Sequence, residues 1–96
     1  MILMLDYDKT YSNDPEFWNK FILNAKKSGH IVYGLTMRYD NKEESIDNSL
    51  GKQCEIIYTT RNAKEKFAYD WLSLKGIKPQ SVIFIDDQPY FLLNDG

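Results

Sequence analysis

The chain is short of several things, and each shortage removes a class of protein. Cys54 is the only cysteine in 96 residues, so no internal disulfide can form and a multi-cysteine zinc site is excluded. A reducing cytoplasm is the expected home. There is no marked excess of one charge: 12 Lys and Arg against 14 Asp and Glu give a net charge of −2, which argues against a broad basic surface for nucleic acid. Long hydrophobic runs are missing too. The opening Met1-Ile2-Leu3-Met4 runs straight into acids, too short for a signal peptide or a membrane span, so no membrane partner is expected. No repeats, low-complexity tracts or interdomain linkers appear, and the length suits one domain, 1–96.

What is present is a regular alternation. Residues 2–6 read as a buried strand. Asp14 followed by Pro15 is a helix start, and Phe17, Trp18, Phe21, Ile22 and Ala25 recur at helical spacing, giving a helix over roughly 15–28 that Gly29 stops. His30 to Thr36 is a second strand, apolar and β-branched. Asp40 to Leu50 reads as one short, mostly exposed helix ended by Gly51. Glu55 to Thr59 is a third strand, and Arg61 to Lys75 a long helix that Thr60 or Asn62 caps and Gly76 ends. Ser81 to Ile85 is a fourth strand, and the last residues start a helix or fray. The βαβαβαβ order predicts a three-layer, Rossmann-like parallel sheet with helices on both faces.

Such sheets place ligands at the carboxyl ends of their strands, and those ends are where the acids are. Asp6 and Asp8 end the first strand, Thr36 the second, Thr59 or Thr60 the third, and Asp86-Asp87 the fourth. Carboxylates converging on one edge repel one another unless a counter-charge joins them. A divalent cation answers this, and all-oxygen ligands favour magnesium over zinc. A phosphoryl group there would need hydroxyl or backbone donors, which Thr36 and its neighbour Met37 offer, and a fixed cation from Lys64 or Lys66.

These residues resemble the haloacid dehalogenase (HAD) superfamily of phosphohydrolases. Asp6-Tyr7-Asp8-Lys9-Thr10 matches its Asp-x-Asp-x-Thr motif after an apolar strand, Thr36 its strand-ending Thr or Ser, Lys64 its helix-start lysine, and Ile83-Phe84-Ile85-Asp86-Asp87 its last motif. The resemblance spans residues 2–89. It implies a minimal HAD-like core without a cap domain and a magnesium-dependent phosphatase. Asp6 would be the nucleophile that forms an aspartyl-phosphate. Asp8 would protonate the leaving group and then activate water. Asp6, the backbone carbonyl of Asp8, Asp86 and Asp87 would hold magnesium, with Thr36, Met37 and Lys64 on the phosphate. Lys64 is preferred to Lys66 because Ala63-Lys64-x-x-Phe67 fits the pattern of small residue, lysine and aromatic.

Two departures stand out. Lys9 occupies a position where the family has Gly, and Asp8-Lys9-Thr10 also resembles the phosphorylated motif of P-type ion pumps, in which Asp8 would be the nucleophile. The strand ends at Asp6, which favours the first register. Relatives also continue with another strand and helix after the fourth motif, so a second copy covering the open site is one expectation. Arg38, Tyr39, Lys42, Arg61 and Tyr11 are expected at its mouth. The substrate would be a nucleotide, a nucleic-acid terminal phosphate or a small metabolite. The alternative is a binding or regulatory module that recognises a phosphorylated partner. His30 reads as a surface residue, Cys54 as a small core or edge residue, Trp18 and Trp71 as core.

Overall fold

The computed structural model describes residues 1–78 and 81–96. Four strands, β1 Ile2–Asp6, β2 Ile31–Thr36, β3 Glu55–Tyr58 and β4 Val82–Ile85, form one sheet in the order β3-β2-β1-β4, and every pairing is parallel. β1 lies between β2 and β4, and all five of its residues are buried. A central parallel strand is covered on both faces, which is why its sequence is a continuous apolar run rather than an alternation.

The alternation appears instead in which core each residue joins. Leu3, Leu5 and Val32 point to one face, where Ile22 and Ala25 of helix α1 (Pro15–Lys27) meet Ile46 and Leu50. Ile2, Met4, Tyr33 and Leu35 point to the other, against Ala68 and Leu72 of helix α4 (Lys64–Leu74). The chain is therefore α/β, with helices on both sides of a four-stranded parallel sheet. No helix of the described residues is long and apolar enough to cross a membrane.

Several boundaries follow the sequence signals. Asp14 caps α1 by accepting the Phe17 N–H at 3.2 Å, with Pro15 at the first helical position. Gly29 and Gly76 end their helices with φ of +86° and +72°, a region open to residues without a Cβ.

Others do not. The segment from Asp40 to Leu50 is not one helix but two four-residue helices, α2 Glu44–Asp47 and α3 Leu50–Gln53, and Gly51 lies inside the second instead of stopping the first. Ile46 and Leu50 both reach the same core, as they would from an unbroken helix; the break falls at Ser49, whose hydroxyl donates to the Ser45 and Ile46 carbonyls. Helix α4 begins at Lys64, not Arg61, and neither Thr60 nor Asn62 caps it: Asp95, far along the chain, accepts the Ala63 N–H at 2.7 Å. Of the apolar positions spaced along the first helix, Phe17 is instead exposed, while Trp18 and Trp71, expected in the core, pack partly buried against the two cores. The final helix, α5 Tyr90–Leu93, packs against α4.

Candidate active site

The register of the sheet brings the chemistry together. Leu5 pairs with Gly34 and Ile85, so Asp6, Thr36 and Asp86 all emerge at one edge. Lys64, the first residue of α4, reaches the same edge from the side. Its Nζ donates to Asp6 Oδ1 at 2.7 Å and to Asp86 Oδ2 at 2.5 Å. Asp6 and Lys64 are each about 5% exposed, so this is a buried ion pair rather than a surface one. Thr10 closes the other side. Its hydroxyl lies 3.1 Å from Asp6 Oδ2 and 3.3 Å from Asp87 Oδ1, in donating distance of either. Asp86 Oδ1 accepts the Gln88 N–H at 2.9 Å, which turns the chain after β4.

Asp6, Asp86 and Asp87 each offer a carboxylate oxygen within 4.8 Å of the others, an arrangement able to hold a metal ion. One lysine faces these three acids. Burial, reinforced by the charge of Asp86 and only partly opposed by Lys64, pushes the Asp6 carboxyl up to about 7. Negative charge at the edge is thus under-compensated by the protein's own cation, and an all-oxygen donor set with spare negative charge fits a hard divalent ion.

Asp8 sits in a different setting. Its carboxylate turns outward to Arg38, which donates from Nε to Oδ2 at 2.9 Å and from Nη2 to Oδ1 at 2.7 Å. This two-point pair holds the Asp8 carboxyl below the usual carboxylate range, against a smaller contribution from burial. Arg38 also donates to Glu43 and lies over the Tyr7 ring. The acid cluster consequently contains Asp6, Asp86 and Asp87 without the Asp8 side chain.

A cavity of about 310 Å³ opens over the edge, lined by Asp6, Asp8, Thr36, Met37, Lys64 and Asp86 among others. The residues singled out from the sequence therefore gather at one place. Lys66 does not join them; it pairs with Asp70 one turn along α4, on the surface. Of the expected mouth residues, Arg61 lines the cavity, and Arg38 and Tyr39 line a groove that adjoins it. Tyr11 is misplaced by that expectation. It is buried, stacked 6.0 Å from Tyr7, and donates to Asn19 at 2.7 Å. Lys42 is exposed and lines neither space. His30 meets the N-terminal amine away from the site, and Cys54 is half-buried with its thiol pushed up to about 11 by burial.

Lys9 acquires a reason. Its φ is +60°, in the left-handed region where a Cβ is costly, which is why a glycine would suit this position. Ser12 Oγ accepts the Lys9 N–H at 2.9 Å, and Asn13 Nδ2 donates to the Lys9 carbonyl at 2.6 Å. The local bonds hold the turn despite the side chain. Thr10 had no assigned role in the sequence, although its place four residues after Asp6 in the motif was the available signal.

No family model, no curated protein and no solved structure matches this chain.

Proposed function

We propose that the chain is a magnesium-dependent phosphohydrolase that works through an aspartyl-phosphate, as its resemblance to the HAD superfamily implies. The observation that supports this most is the burial of Asp6 against Lys64 and Asp86 at the carboxyl edge of the sheet, with Thr36 on the neighbouring strand. Asp6, Asp86 and Asp87 would hold magnesium, which supplies charge neutralisation for the phosphoryl oxygens when bound.

The chain's own groups then divide the work. An oxygen of Asp6 attacks phosphorus as the ester P–O bond breaks, and the leaving oxygen takes a proton from Asp8. Water then attacks phosphorus, gives its proton to Asp8, and the bond to Asp6 breaks. Lys64 steadies the negative charge on Asp6 and the phosphoryl group, and Thr36 and Met37 line the phosphate position. The Arg38 pair keeps Asp8 ionised, ready for the second half of the cycle. For the first half, Asp8 must be released from Arg38 and protonated.

That same clamp favours a second reading: a module that holds a phosphorylated partner and turns it over slowly or not at all. Hydrolysis of p-nitrophenyl phosphate with and without magnesium separates the two. Magnesium-dependent release of nitrophenol that Asp6→Asn abolishes supports the hydrolase. Turnover that survives Asp6→Asn and is abolished by Asp8→Asn would move the nucleophile to Asp8. Absence of turnover across a panel of nucleotides and end-phosphorylated oligonucleotides leaves the binding module.

A further inference from the structure

The cavity over Asp6 shares Asp8, Met37 and Arg61 with a second groove that runs outward past Arg38 and Tyr39. Four cations line these two spaces: Lys9, Lys64 and Arg61 the cavity, Arg38 and Arg61 the groove, so that Arg61 alone of the four lines both. Lys64 is bonded to Asp6 and Asp86, and Arg38 to Asp8 and Glu43. The Arg61 guanidinium forms no ion pair and no hydrogen bond among the described residues. Its side chain is exposed at the junction of the two spaces.

The backbone beneath it is the opposite of loose. The Arg61 N–H donates to the Met37 carbonyl at 2.9 Å, and the Arg61 carbonyl accepts the Gly96 N–H at 2.8 Å. Arg61 has a φ of +71° and follows Thr60 at +52°, two successive non-glycine residues in a region that disfavours a Cβ. Packing does not demand an arginine here, because the side chain is exposed, and the backbone would prefer glycine. Strain of this kind, kept at the rim of a site, points to a function for the side chain.

We propose that Arg61 is a specificity-determining residue that binds a second phosphate on the leaving-group side of the substrate. This rests on the phosphohydrolase reading of the cavity. With one phosphoryl group at Asp6, the leaving group exits along the shared groove past Arg61. A guanidinium fork takes a phosphate through two parallel hydrogen bonds. Tyr39, 54% exposed in the outer groove, offers a ring face on which a nucleobase can stack. The substrate chemistry is therefore a phosphomonoester whose nucleoside leaving group carries another phosphate, either as a free nucleoside bisphosphate or as the internucleotide phosphate next to an oligonucleotide end.

The test compares adenosine 3′,5′-bisphosphate, a 5′-phosphorylated dinucleotide and adenosine 5′-monophosphate. Affinity is measured by calorimetry with magnesium in an Asp6→Asn background, where turnover does not intrude, and kcat/KM in the chain with Asp6 intact. At least one of the two-phosphate ligands should bind at least tenfold more tightly than the monophosphate, and which one wins identifies the source of the second phosphate. Arg61→Gly suits the left-handed backbone, so its melting temperature should be no lower than the parent's while the affinity ratio falls to near one; Arg61→Lys should keep part of it. A parental ratio near one, or a ratio unchanged in Arg61→Gly, overturns the proposal. A ratio that depends on Arg61 without magnesium-dependent turnover of any ligand upholds the subsite and overturns the hydrolase reading instead.

Discussion

Asp6 and Asp8 carry the same group two residues apart, and the fold puts them in opposite electrostatic settings. Asp6 ends β1 inside the domain, bonded to a buried lysine and crowded by two more acids. Asp8 stands past the strand end, its side chain 48% exposed, in the two-point grip of an arginine whose own side chain is 37% exposed. Burial dominates the first and raises its pKa; a hydrogen-bonded cation dominates the second and lowers it. One strand end thus yields an inner region governed by desolvation and an outer one governed by solvent-screened charge. Distance from the core, rather than residue type, decides which acid responds to pH, to salt and to a metal.

The sharpest way to break this comparison is to remove the cation from each region. Lys64→Met strands buried carboxylates without their partner, and severing a buried pair costs about 3–5 kcal/mol. That is a large share of the total stability of a domain this size. Arg38→Gln removes a pair open to solvent and should cost less than about 1 kcal/mol, a difference that high salt erases. Urea denaturation of the two variants at low and high salt checks both values. Equal losses would mean that the inner and outer regions are not energetically distinct.

A smaller effect, with a definite sign, is expected from pH. The folded-state pKa of Asp6, about 7, lies above its ordinary value of 3.8. The folded chain therefore holds this proton more tightly than the unfolded chain. Without metal, stability should fall as pH rises from about 4 to about 7, by at most about 1.4 kcal/mol per pH unit for one proton. Asp8 has the opposite sign: its contribution is present above the ordinary carboxylate pKa and is lost as pH falls below it, so it does not mask this window. Thermal melts of the metal-free protein should show the decline, Asp6→Asn should flatten it, and magnesium should reverse it near pH 7 by favouring the ionised acid. A pH-independent melting temperature would show that Lys64 alone balances the cluster.

How legible these two regions were in the sequence differs for a physical reason. The inner one rests on strands whose apolar runs end abruptly in acids, a local signal. Once β1 and β4 pair in parallel, Asp6 and Asp86 must share an edge. Lys64 could be chosen over Lys66 from the pattern Ala63-Lys64-x-x-Phe67, and the difference of about half a helical turn puts one on buried Asp6 and the other on Asp70 at the surface. The outer region depends on contacts across the loops. The reach of Arg38 to Asp8 spans 30 residues, and Asp95 caps α4 from 32 residues away; neither contact leaves a spacing to read. The split of residues 40–50 into two helices does not come from the apolar pattern, since Ile46 and Leu50, one turn apart, would share a face of an unbroken helix. The interruption falls at Ser49, whose hydroxyl donates to the Ser45 and Ile46 carbonyls and competes with the helical ladder.

Lys9 joins the two regions and gives the smallest test. It follows Asp8, lines the cavity and adopts a φ of +60°. A Cβ in this conformation costs about 1–2 kcal/mol, whereas a glycine loses about 0.5–1 kcal/mol through the greater freedom of the unfolded chain. Lys9→Gly should therefore stabilise the fold by no more than about 1.5 kcal/mol. Lys9→Ala keeps the strained Cβ and removes only the charge, so it should leave stability nearly unchanged. Urea midpoints for the pair separate backbone from charge. If alanine shifts stability as much as glycine does, the Lys9 ammonium takes part in the charge balance around Asp8, and the outer region depends on more than the Arg38 clamp.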